Sequence, residues 1–96
     1  MPMTETKEYP LPTVHLNGTS MEMLYEGYNN IMGTLLELEK SISMCEFHGR
    51  DYYVQDADPY SYETYNKALD ERRKHLKNIL ALRKYIEEHI IHINSQ

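Results

Sequence analysis

Residues 62–93 read YETYNKALDERRKHLKNILALRKYIEEHIIHI. Taken at alternating steps of three and four, this stretch gives Tyr62, Tyr65, Leu69, Arg72, Leu76, Ile79, Arg83, Ile86, Ile90 and Ile93. Side chains three and four apart share one face of an α-helix, so the spacing predicts a long amphipathic helix. Eight positions are apolar or aromatic and two are arginine. A guanidinium on a buried seam costs several kcal/mol, roughly, unless an anion meets it. Two kinds of anion would serve Arg72: a carboxylate elsewhere in this acidic chain, or a phosphate supplied by a ligand.

Upstream, a second stripe runs Leu24, Tyr28, Ile31, Leu35, Leu38, Ile42, Cys45, with Met21, Tyr25, Met32 and Leu36 widening it. It predicts a first helix from about Ser20 to Phe47. Thr19 with Glu22 three residues on has the form of a capping box at its start, and His48-Gly49 that of a glycine C-cap at its end. Asp58-Pro59 predicts the second helix's start, aspartate as N-cap and proline at N1, and the pattern continues to about Asn94. Gly27 and Gly33 each cost the first helix about 1 kcal/mol against alanine, consistent with close helix approach, a kink or room for a ligand. Residues 1–14, with Tyr9-Pro10-Leu11-Pro12, predict an extended arm. The expected fold is all-α: an arm over 1–14 and an antiparallel helical hairpin over 15–96.

Ninety-six residues allow one small domain, and a lone two-helix hairpin of this size is marginal. The apolar faces are too broad for one partner helix, which predicts a homo-oligomer. The single cysteine, Cys45, excludes an internal disulfide and is expected as a small core residue in a reducing compartment. The polar start predicts no signal peptide, and no apolar run approaches the ~20 residues of a membrane span.

The net charge of −5 argues against binding DNA or RNA polymers. Its distribution says more. Residues 1–66 carry three basic and eleven acidic side chains, whereas residues 67–84 carry seven basic and two acidic. A compact anion suits this better than a long polyanion; a basic face pairing with an acidic protein suits it too. Asn17-Gly18-Thr19-Ser20 leads into a helix N-terminus, where free N–H groups, hydroxyls and an amide cap the helix or hold a phosphate. Nine tyrosines cluster partly at Tyr52, Tyr53, Tyr60, Tyr62 and Tyr65. Such rings serve as seam residues or as faces for stacking a base. His89 and His92, beside Glu87 and Glu88, are too few for a metal site. With no nucleophile motif, phosphate loop or CxxC pair, neither catalysis nor a cofactor is expected.

The stretches Leu11-Pro12-Thr13-Val14-His15-Leu16-Asn17-Gly18-Thr19-Ser20 and Arg50-Asp51-Tyr52-Tyr53-Val54-Gln55 together resemble a family of small phage proteins built on a helical hairpin. These are the anti-CBASS proteins that sequester cyclic oligonucleotide messengers; the anti-Thoeris sponges share a related hairpin. The resemblance covers nearly the whole chain after its first ten residues. It implies a homohexamer in the host cytoplasm that binds cyclic dinucleotides of the cyclic GMP-AMP type and cyclic trinucleotides of the tri-adenylate type without cleaving them. The Asn17-Gly18-Thr19-Ser20 turn matches the family's motif and is expected to hold a ligand phosphate, and the resemblance implies that Arg72 or Arg73 serves the trinucleotide site. Tyr28 and Lys40 are the positions it offers for the dinucleotide site, Lys40 being the one lysine of the first helix. The alternative is a hairpin adaptor that binds an acidic protein partner.

Overall fold

A computed structural model describes residues 9–96; residues 1–8 of the expected arm lie outside them. Two helices form, α1 over Met21–Met44 and α2 over Glu63–Asn94, joined through two single 3₁₀ turns, Gly49–Asp51 and Tyr53–Gln55. At 1.5 Å per residue they are about 36 and 48 Å long. They pack antiparallel along their lengths, so the all-α hairpin predicted from the two stripes is the fold.

α2 faces its partner with the stripe the sequence predicts, from Tyr65 through Ile93; Tyr62 is the exception, about half exposed. On α1 the inward face is Leu24, Tyr28, Met32, Leu35, Glu39 and Ile42. It is rotated from the expected stripe toward one flank: Ile31, Leu38 and Cys45 are exposed. Cys45 is therefore a surface residue, and its expected place in the core is corrected. Among the described residues the buried apolar side chains are few: Leu35, Ile86 and Ile93.

The seam tolerates its polar members because each is paired. The Arg83 guanidinium holds both carboxylate oxygens of Glu39 at 3.0 Å. His89, 2% exposed, has Nδ1 2.8 Å from the Tyr85 carbonyl. The rings of Tyr28, Tyr85 and Tyr9 surround it at 4.8, 4.4 and 5.9 Å. Tyr9 arrives there from the arm, whose Val14 N–H donates to the Gln96 side chain at 2.8 Å. The Gln96 amide in turn donates to the Pro12 carbonyl at 3.2 Å. The arm is thus tied to the C-terminal end of α2.

Three helix ends differ from the sequence expectation. Ser20, not Thr19, caps α1, its hydroxyl accepting from Met23 N–H at 3.2 Å. α1 stops at Met44 rather than Phe47. Continuation would require the Ile42 and Cys45 carbonyls to accept from residues four further on. Arg72 takes them instead, donating Nη1 to Cys45 at 2.7 Å and Nη2 to Ile42. Phe47 then turns inward, edge-on to Tyr65 at 5.7 Å and beneath the Arg72 guanidinium at 5.1 Å. Gly49 does not cap α1 in a left-handed conformation. It opens a 3₁₀ turn and lies so close to Tyr62 that a Cβ would meet the ring at 3.2 Å.

Asp58-Pro59 does not start α2. The Ser61 N–H returns to the Asp58 carbonyl at 3.0 Å, making Asp58–Ser61 a turn with aspartate first and proline second. The chain then passes through Tyr62 at φ 55°, a left-handed conformation that costs a bulky residue about 1–3 kcal/mol. Asp56 reaches across this reversal to cap α2, accepting from the Thr64 N–H at 3.2 Å and from its hydroxyl.

Candidate functional site

The predicted ligand residues fall at three separate places on the hairpin. Asn17, Gly18, Thr19 and Ser20 are exposed at the end where α1 begins. Gly18 closes a turn by donating to the His15 carbonyl at 3.1 Å, and a Cβ on it would meet the His15 imidazole at 2.8 Å. Arg72 lies at the other end of α1, nearly that helix's ~36 Å length away. No carboxylate meets it among the described residues: its partners are the carbonyls of Cys45 and Ile42, which complement a guanidinium at a helix C-terminus as a carboxylate would elsewhere. Two of its five N–H donors make those bonds. Arg73 faces solvent, 3.4 Å from Asp70.

Tyr28 is half-buried against His89, and Lys40 is exposed some three turns further along α1. Within one chain the Asn17–Ser20 turn therefore meets neither Arg72 nor Arg73, and Tyr28 does not meet Lys40. A ligand touching Asn17–Ser20 and Arg72 together would lie between copies.

The loop end of the hairpin does bring candidate residues together. Gly49, Arg50, Tyr53, Pro59, Tyr60 and Tyr62 line an open cup of about 400 Å³. Its volume falls within the usual range for small-molecule sites. The two 3₁₀ turns supply Arg50 and Tyr53, and the Asp58–Ser61 turn supplies Pro59 and Tyr60. Tyr62 is placed by its left-handed backbone and seated against Gly49. Tyr60 is 85% exposed, Tyr62 49% and Tyr53 42%. The Arg50 guanidinium forms no hydrogen bond or ion pair among the described residues. Phenol rings can stack on planar groups and a guanidinium can fork onto a phosphate or carboxylate, so these side chains together could receive a planar anion.

The tyrosines were legible as stacking candidates. Arg50 was not singled out, though it sits in the Arg50–Gln55 stretch that carries the resemblance. Among the described residues no group of three His, Cys, Asp or Glu side chains could hold a metal ion, and no helix is long and apolar enough to cross a membrane. Comparisons with protein-family models, with curated proteins and with solved structures find no match.

Proposed function

We propose that this chain binds and sequesters cyclic oligonucleotide messengers without cleaving them, as a homo-oligomer acting in the cytoplasm of a phage-infected host. The cup of three exposed tyrosines around Arg50 carries the proposal. Bases stack on the phenol faces while the guanidinium receives a phosphate. Strain held at Tyr62 supports a role for that ring beyond packing. The Asn17–Ser20 turn of one copy and Arg72 or Arg73 of another form the second pocket in this proposal. Tyr28 and Lys40 remain the proposed dinucleotide contacts.

The test is a calorimetric and thermal-shift titration with cyclic di- and trinucleotides. A ligand that binds only the native chain raises Tm with concentration. Tyr60→Ala removes one stacking face, worth about 1–3 kcal/mol, and should weaken binding roughly 5- to 150-fold with little change in unliganded stability. Chromatography after heat release should return the ligand intact. Absence of any shift, or recovery of a hydrolysed ligand, overturns the proposal.

A second function is favoured by one observation. Lys74, Lys77 and Lys84 are exposed on α2 and carry no partner among the described residues, as expected of an adaptor that docks on an acidic protein. Neutralising these three lysines would abolish adaptor binding but spare nucleotide binding in the cup.

A further inference from the structure

Beside the seam, α1 carries a second stripe along its length: Met23, Gly27, Ile31, Thr34, Leu38 and Ser41. The steps are four, four, three, four and three, so the six share one face. All six are exposed and none is charged. Met23 is 67% exposed, Ile31 42% and Leu38 45%. The Thr34 hydroxyl is already satisfied by the Asn30 carbonyl at 3.0 Å, so covering it strands no donor. Gly27 lies in a shallow, open apolar groove of about 270 Å³, lined also by Met23, Leu24, Tyr28 and Ile31. Nothing lies within 4 Å of where a Gly27 Cβ would stand, so no packing within the chain requires glycine there.

The order of residues on this face names its occupant. Reversed and set against itself, the stripe pairs Met23 with Ser41, Gly27 with Leu38 and Ile31 with Thr34. Each large side chain meets a small one, and Leu38 of one copy enters the groove over Gly27 of the other. Run parallel, the same stripe would set Leu38 against Leu38 and leave the groove over Gly27 empty. Antiparallel alignment also opposes the helix dipoles. An arrangement in which residue i meets j and j meets i is a closed two-fold contact. The surface to supply it exists: the chain exposes 7571 Å². A compact monomer of 11.4 kDa exposes roughly 5,800 Å². The surplus, roughly 1,800 Å² per chain, exceeds the about 800 Å² that each partner of a standard interface buries.

We infer that two copies of this chain pair antiparallel through α1, with Leu38 of each seated over Gly27 of the other. The ligand reading is not needed for this, and the test uses no nucleotide. Sedimentation at micromolar concentration should give a dimer or a multiple of two. Gly27→Leu fills the groove with no neighbour to strain inside the chain. It should keep the parent's helical content by circular dichroism at low temperature, so that loss of association is not loss of fold, yet raise the dissociation constant at least tenfold. In a Cys45→Ser background, Gly27→Cys and Leu38→Cys proteins mixed and oxidised should cross-link to each other in preference to themselves. A stable monomer, an oligomer indifferent to Gly27→Leu, or preferential linkage of the Leu38→Cys protein to itself overturns the inference; the first two would assign the face to some other partner.

Discussion

Arg72 shows how a residue can be legible as an anomaly while its partner is not. The stripe marks it as out of place among leucines and isoleucines, but its partners are the carbonyls of Ile42 and Cys45, and carbonyls are the same at every position. Nothing in residue identity could have named them. Arg83 is the opposite case: its partner is Glu39, one of the acidic residues available from composition. Truncating Arg72 leaves the Cys45 carbonyl to water, leaves that of Ile42 with the Cys45 N–H, and removes the cation over Phe47. Arg72→Ala should therefore cost about 1–3 kcal/mol in urea unfolding, with helix content unchanged at low denaturant. Arg72→Lys keeps charge at the C-terminus of α1 and should recover part of that loss. A neutral or stabilised Arg72→Ala protein would mean that these bonds contribute nothing. His89 was missed for a different reason: a histidine counts as polar in a hydropathy pattern, although its ring is flat enough to join a nest of tyrosines.

At the level of elements, both helices were legible from periodicity and three of their ends were misplaced, because the local signals have two meanings. Asp-Pro begins a helix or begins a turn, and the choice depends on the residues after it. Here Tyr62 reverses the chain first, and Asp56 supplies the cap from further back. Thr19 and Ser20 are equally good caps by composition; the turn closed by Gly18 puts Ser20 in position. Ser20→Ala should accordingly cost about 0.5–2 kcal/mol in thermal unfolding, while Thr19→Ala stays near the parent. Asp56→Ala should cost a similar amount, and Asp58→Ala, which removes an acceptor only from an exposed turn, less. Equal losses at residues 19 and 20 would return the cap to a shared role. The cup at the loop end was legible only as a concentration of tyrosines; its shape comes from turns that leave no periodic trace.

The whole molecule is a rod of 64 × 28 × 17 Å with a radius of gyration of 20.2 Å. A compact chain of this length has a radius near 13 Å. Length and apolar content told of surplus surface, and the hairpin displays it on two flanks, with Leu36 on one and Leu38 on the other about half exposed. Its interior is unevenly stocked. Ile86, His89 and Ile93 all lie in the last third of α2, near the tethered arm, whereas no side chain of α2 from Glu63 to Arg83 is fully buried. Opening free energy follows local burial, so the two halves of this one continuous helix need not open together. Amide deuterium uptake, followed by mass spectrometry in the unliganded protein, should be slowest over residues 85–93 and markedly faster over 64–74. The chain would then breathe from the end that carries the cup, so that anything held there would also tighten the rod's loose half and slow its uptake. Uniform protection along α2 would show that the hairpin opens as a single unit.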